Sequence, residues 1–394
     1  MNQREVVILS GVRTAIGAFG GGFKNSSVVD LAGEVVREAV VRAEIPSTDI
    51  EHCVIGNVVH TNRSDMYVSR VAALNGGLSM YTPSLTVNRL CGSGLQSIIS
   101  AAQLILLGDC SAVVAGGAEV MSAAPYWLPK LRFGQRMGDD VVTDPMTGAL
   151  TCPITNVHMG ITAENIAQKW KISRESQDAF ALESHKRAAY AEGEGRFGDQ
   201  ILPIEVRNGK RRSIFDKDEH IRVDLSMDDL AKLRPAFKDG GTVTAGNSSG
   251  INDAAAGVVL MDREIAEKRG LKPMARLLAY SFAAVDPSYM GIGPVPAVKQ
   301  LLVNAKLKMS DIDLWEINEA FASQALAVIQ ELNLHDSLVN PNGSGISLGH
   351  PIGGTGAILT VKALYELQRI RGRYAVITMC IGGGQGIAML IERV

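Results

Sequence analysis

Ser47-Thr48-Asp49-Ile50-Glu51-His52-Cys53-Val54-Ile55-Gly56-Asn57 returns, some 260 residues downstream, as Met309-Ser310-Asp311-Ile312-Asp313-Leu314-Trp315-Glu316-Ile317-Asn318. A second pair keeps the same offset. The apolar run 95–107, Gly108 and the β-branched run 112–116 match residues 357–367, Gly372 and residues 375–379. A period this long excludes a solenoid and reads as a duplicated domain. Around the first copy, Val28, Leu31, Ala32, Val35, Val36 and Ala39 recur at the helical period. Helices are predicted over 28–41, 68–74 and 95–107, and strands over 6–9, 53–59, 85–88 and 112–116. This alternation predicts an α/β fold with largely parallel strands flanked by helices. From about Met121 to Thr244 charge rises and the pattern becomes irregular, with one long helix expected over 161–190. The organisation expected is a first half made of 1–120 with 245–270, an inserted loop (cap) domain over 121–244, and a second half over 271–394. The seam between two duplicated halves is where a site is expected, because clefts favour domain interfaces.

The bulk numbers narrow the function. The 394 residues carry 39 Lys+Arg against 41 Asp+Glu, a net charge of −2, which argues against a dedicated nucleic-acid binder. Hydrophobic residues at 46% with 20% charged are globular in balance. No uninterrupted apolar run reaches the ~18 residues of a membrane helix, so no membrane partner is expected. The N-terminus lacks a long apolar core for a secretory signal, and the C-terminus has no retention or peroxisomal tripeptide. The five cysteines are odd in number and include no C-x-x-C pair, so neither a disulfide framework nor a metal site is expected. A reducing cytoplasm fits this usage.

Three glycine-dense tracts carry the chemistry. In Asn88-Arg89-Leu90-Cys91-Gly92-Ser93-Gly94 a cysteine stands between a strand and the N-terminus of an apolar helix. Free amides and the helix dipole would stabilise a thiolate there. The alternative reading is a small buried cysteine in a tight turn. His350 is the only histidine in the glycine-rich tract 340–356, and imidazole can accept a thiol proton. Cys380 ends a buried strand and leads into Gly382-Gly383-Gly384-Gln385-Gly386, whose N–H groups can face an anion. Asn318 opens Asn318-Glu319-Ala320-Phe321 after the second-copy strand, either as a donor or as a helix cap. The basic run Arg207, Lys210, Arg211, Arg212, Lys217, His220 and Arg222 is either a solvated face or a landing site for a phosphorylated ligand.

These motifs together resemble the thiolases, from end to end of the chain. The tract around Cys91, N-E-A-F at 318–321, G-H-P at 349–351 and C-x-G-G-G-x-G at 380–386 carry the resemblance. It is closest in kind to bacterial β-ketothiolases and acetoacetyl-CoA thiolases of short-chain acyl-CoA metabolism, whether in fatty acid metabolism or polyhydroxyalkanoate biosynthesis. The resemblance implies a five-layered αβαβα fold from two halves plus a loop domain, and a homo-oligomer, dimer or tetramer. It implies a ping-pong Claisen reaction: Cys91 takes an acyl group with His350 as its base, and Cys380 deprotonates the second acetyl-CoA. It also implies that His350 and a water held by Asn318 bind the enolate oxygen, and that the N–H groups of Cys91 and Gly382 bind the tetrahedral oxyanion. Ser249, His158, Met159 and Met290 match substrate- and CoA-binding positions, and Arg222 a position near the adenine. Coenzyme A is then substrate and product, and no resident cofactor is expected. One departure lies in Asn342-Gly343-Ser344-Gly345-Ile346-Ser347, where the family often has N-G-G-A-I-A; it bears on substrate preference.

Rival readings fit less well. A decarboxylating ketoacyl synthase usually carries histidine in place of the second cysteine, and a carrier-type relative typically lacks N-E-A-F. A Cys–His thioesterase has no use for Cys380. A noncatalytic scaffold would have lost a reactive group. Gly17-Ala18-Phe19-Gly20-Gly21-Gly22 does not form a dinucleotide fingerprint.

Overall fold

The structure, a computed structural model, describes residues 4–394; Met1–Gln3, part of the predicted first half and of the N-terminal reading, lie outside the described residues. In chain order the elements that build the body are β1 (Val6–Thr14), α1 (Val28–Arg42), β2 (His52–Gly56), β3 (Ser84–Val87), α2 (Ser93–Leu107) and β4 (Ala112–Val120). The inserted region supplies α3 (Met159–Lys169) and α4 (Arg174–Gly193), and the body resumes with β5 (Asn252–Asp262), β6 (Ala275–Ala284) and α5 (Pro294–Ala305). The rest is β7 (Leu314–Ile317), α6 (Ala322–Leu332), α7 (Thr355–Ile370), β8 (Tyr374–Ile381) and β9 (Gln385–Arg393).

The strands form one path, β7-β8-β9-β6-β1-β5-β4-β2-β3, in which the antiparallel contact between β1 and β6 joins the two halves. The duplication extends to irregularities: β1 bulges between Ile8 and Ser10, and β6 between Leu277 and Ala279. α1 covers the first half from outside and α5 the second. α2 and α7 pack on each other between the halves, giving the five-layered thiolase fold expected.

The expectation of largely parallel strands is corrected. β2 runs parallel to β3 and β4, and β7 to β8, whereas the other pairings along the path are antiparallel. β8 and β9 are joined by the tight turn at Gly382–Gly384, with Gly383 and Gly384 at φ +81° and +83°. A turn so short permits only antiparallel neighbours, and its left-handed residues favour glycine. β5 re-enters after the insertion and pairs antiparallel with both β1 and β4.

The central layer explains the most apolar stretch of the chain. Residues Leu90–Leu107 have a mean hydropathy of 1.6, high enough for a membrane helix by composition. Here that apolarity serves burial: Leu95, Ile98, Ile99 and Ile105 are fully enclosed. Each such side chain contributes about 1.5–3 kcal/mol relative to exposure. The N-termini of α2 and α7 meet so closely that a Cβ on Gly356 would lie 2.3 Å from Leu95 N, and one on Gly94 2.8 Å from Ala357 N. Glycine at both positions therefore brings the loop before α2 and the loop before α7 to one point.

The single long helix expected over 161–190 is two helices. Lys171 turns left-handed at φ +56°, and Ser173 then caps α4 by accepting the Ser176 N–H. The insertion is anchored to β1 by a fully buried ion pair, Arg13–Asp218, with two contacts of 2.8 and 2.9 Å.

Candidate active site

The chain leaves β3 and enters α2 through a strained elbow. Leu90 sits at φ +46°, a left-handed conformation costly for a branched side chain. Asn88 Oδ1 accepts the Leu90 N–H at 2.9 Å, while Ser93 Oγ accepts the Arg89 N–H and donates to Leu90 O at 2.6 Å. The elbow presents Cys91, the most accessible of the two site cysteines, with its sulfur facing its own N–H and that of Gly382. These are the two amides expected to bind an oxyanion. The thiolate expectation is corrected: burial pushes the Cys91 thiol up to about 11, outweighing the two N–H groups, and Glu119 adds to the rise. The resting nucleophile is a thiol.

The second half supplies the partners. Asn318 follows β7, its N–H held by Thr378 O on β8 at 3.0 Å. Its Nδ2 lies 3.4 Å from His350 Nε2, and its buried Oδ1 has no hydrogen-bond partner among the described residues. Thr355 Oγ1 donates to Pro351 O at 2.9 Å and lies 2.7 Å from His350 Nδ1. Its one hydrogen is thus committed, so the network assigns the imidazole proton to Nδ1 and leaves the lone pair on Nε2. Asn252 Oδ1 accepts the His350 N–H at 3.0 Å and fixes the loop to β5. Burial pushes His350 down to about 4, so it is a neutral base at neutral pH. Cys380 is 1% exposed, and burial together with the neighbouring Cys91 raises its thiol far above the ordinary value.

The departure at Ser344 and Ser347 has a local use. Ser344 Oγ donates to Ile317 O at 2.9 Å, and Ser347 Oγ lies 2.8 Å from Ser184 Oγ on α4. Glu319, the second residue of the N-E-A-F turn, accepts from Ser184 and Asn340 at 2.6 and 2.8 Å. These bonds tie the N-E-A-F turn, the His350 loop and the insertion together.

The substrate-side residues divide into two groups. Met159, Met290 and Cys380 share one apolar cluster with Phe321, against which Phe237 packs. Met159 Cε would lie 3.2 Å from a Cβ on Gly382, so this methionine covers the oxyanion turn. His158 caps α3 by accepting the Gly160 N–H on Nδ1 at 3.0 Å, and its ring stacks on Phe237 at 4.8 Å. Its other nitrogen therefore carries the proton. Ser249 donates its N–H to Ala320 O at 2.9 Å, directly beside the N-E-A-F turn. Arg222 stands apart, exposed, beside a small cavity it shares with His185, His220 and Ser248. The basic run is not one charged face: Arg207 and Arg212 lie 3.7 and 3.2 Å from Glu205, and burial with Arg222 pushes His220 down to about 4.

Sequence reading missed Glu119, Thr355, Asn252 and Phe237. Thr355 lies inside the quoted glycine-rich tract, so its proximity to His350 was visible. The other three act from distant segments and carried no local signal.

Comparison with known proteins agrees with this geometry. The family models for the thiolase N-terminal and C-terminal domains match residues 6–264 and 271–393. The chain belongs to the thiolase family and is an acyltransferase. It is 59% identical over 392 residues to Beta-ketothiolase BktB of Cupriavidus necator, covering 99% of this chain and 100% of that one. It is 46% identical to an acetyl-CoA acetyltransferase of Chromobacterium violaceum, covering 99% and 100%. Human mitochondrial 3-ketoacyl-CoA thiolase solved in complex with CoA superposes with a TM-score of 0.96 at 42% identity, covering 100% of this chain and 98% of that one.

Proposed function

We propose that this thiolase joins acetyl-CoA to a short-chain acyl-CoA, or cleaves a 3-ketoacyl-CoA with CoA, through an acyl-Cys91 intermediate. The observation that carries the reading is the convergence of two amides on the Cys91 sulfur, next to a second buried cysteine, in a site where the second half also supplies a neutral His350 held against Asn318. As Cys91 attacks the thioester carbonyl, its proton passes to His350 Nε2, and the oxyanion receives the N–H groups of Cys91 and Gly382. The departing CoA sulfur takes the Cys380 proton, leaving a Cys380 thiolate beside an imidazolium. That thiolate removes the α-proton of the second acetyl-CoA. The enolate oxygen is held by protonated His350 and by a water on Asn318, and the enolate carbon attacks acyl-Cys91. The Cys91 sulfur leaves and recovers its proton from His350, so every group returns to its starting state. Oxyanion donors of this kind are worth about 3–4 kcal/mol each.

CoA is substrate and product in this scheme, with no resident cofactor. Ser249 contacts its pantetheine arm, His158 lines the pocket with Met159 and Met290, and Arg222 meets its adenine end, where the phosphate charge lies. The similarity to a β-ketothiolase supports a place in polyhydroxyalkanoate synthesis or short-chain fatty acid metabolism. The free cysteines support a reducing cytoplasm. A homo-oligomer, dimer or tetramer, is supported by the exposed arm bearing Phe133 at 92% and Met137 at 90% exposure, and by the apolar edge around Tyr81 and Leu85.

Substrate range tests the reading. Met159 and Met290 are adaptable side chains, and each methylene in an apolar pocket shifts discrimination by only about 1–3 kcal/mol. Thiolysis of a ladder of 3-ketoacyl-CoAs should decline gradually, with 3-ketovaleryl-CoA within about tenfold of acetoacetyl-CoA. No detectable cleavage of the five-carbon substrate would contradict a methionine-lined pocket, and no cleavage of either would contradict the function.

Arg222→Ala should raise KM for acetyl-CoA at low salt with kcat preserved, because an exposed phosphate contact serves ground and transition states alike. The difference should shrink as salt rises. An unchanged KM at low ionic strength would remove Arg222 from the CoA site.

A further inference from the structure

Glu119 ends β4 wholly buried, and it is unused in the reaction above. Four N–H groups converge on it. Its Oε1 accepts from Asn57 Nδ2 and Val59 N, both at 3.0 Å, and its Oε2 from Val58 N at 3.1 Å and Gly353 N at 2.9 Å. Three of these donors lie on the loop after β2 in the first half. The fourth lies on the second-half loop that carries His350 and Thr355. This carboxylate is therefore a direct polar link between the nucleophile half and the loop of the base. All four partners donate, so a proton on either oxygen would displace one of them. Burial pushes the carboxyl up to about 8 while the N–H groups oppose the rise, so the four-donor cradle favours the carboxylate against its burial. The ionisable groups facing it are Asp65 and Cys91, and His350 shares its loop partner's segment. Asp253, on the adjacent strand, is turned to Ser122 N instead.

We propose that Glu119 is a positioning residue, a carboxyl clamp that holds the Gly353 end of the His350 loop against the loop after β2, whose Val58 and Val59 share an apolar cluster with Cys91. The proposal rests on the acyl-Cys91 reading, so wild-type thiolysis is measured in parallel; its absence would condemn that reading and not the clamp. Two variants separate reach from charge. Glu119→Asp keeps the charge and is one methylene too short to span both loops. Glu119→Gln keeps the length and replaces one acceptor oxygen with a donor facing two N–H groups.

Misplacing a catalytic group by about 1 Å can cost about 10²-fold. Both variants should therefore lose kcat by about that factor, with KM for acetyl-CoA changed less than about threefold. Glu119→Gln should also shift iodoacetamide alkylation of Cys91 to lower pH, because an anion that disfavours the thiolate is gone. Glu119→Asp should leave that profile in place. A folded variant of either kind with wild-type kcat would overturn the clamp, as would a Glu119→Gln alkylation profile identical to wild type. Failure of both variants to fold would assign Glu119 to stability alone and also overturn it.

Discussion

Cys91→Ala should abolish both condensation and thiolysis, with a loss of at least about 10⁴-fold in kcat, the scale on which removal of an attacking group is felt. The expectation follows from position. Of the two site cysteines, Cys91 is the one presented by the strained Leu90 elbow, and its sulfur faces two backbone N–H groups against one for Cys380. The variant should fold, since the lost thiol is replaced by a methyl group at a partly exposed site. The pH dependence carries a further check. With Cys91 raised to about 11 and His350 lowered to about 4, both remain neutral across the range between. His350 gains its proton only well below the ordinary histidine value, so the acid limb of kcat/KM from this residue should fall well under pH 6.5. Alkylation of the resting Cys91 should keep climbing with pH far above neutrality. A neutral-pH plateau in alkylation would mean a preformed thiolate and a different mechanism.

Cys380→Ser should cripple condensation by about 10²–10⁴-fold, the usual worth of a positioned base, while Cys91 still accepts an acetyl group. The separation arises because α-proton removal follows acylation. In the scheme above Cys380 also donates to departing CoA, so acylation should slow without being lost. A serine there keeps the size and loses the acidity, leaving no accessible anion to take the α-proton. Rapid mixing with acetyl-CoA should show enzyme-bound acetyl without acetoacetyl-CoA. If Cys380→Ser blocks acetyl transfer as fully as Cys91→Ala does, the two cysteines do not have separate roles.

Much of this was legible in the residues. The repeat of 47–57 at 309–318 announced two halves, and helices α1, α2 and α7 lie where the apolar periods put them. The strand directions were not legible, because periodicity sees which face is buried and not which way the chain runs. The antiparallel β8–β9 pair depends on the Gly382–Gly384 turn, whose glycines had been read only for their amides. The break between α3 and α4 turns on Lys171, a residue with no breaker signature whose left-handed backbone closes α3 as the Ile172 N–H reaches back to Ala167 O at 2.9 Å. At the site, Cys91, His350, Cys380 and Asn318 were visible because each stands in a glycine-dense or N-E-A-F tract. Their protonation was not: a helix N-terminus argues for a thiolate, and only the structure shows that burial wins. The CoA contacts were less visible still, since His158 and Arg222 owe their places to the fold of the insertion.

The central claim is that Cys91 carries the acyl group. The direct measurement is incubation of the enzyme with acetyl-CoA, rapid acid quench, and peptide mass mapping. The acetyl group should be found on the peptide containing Cys91, with Cys380 unmodified; acetyl on Cys380 with Cys91 free would contradict it.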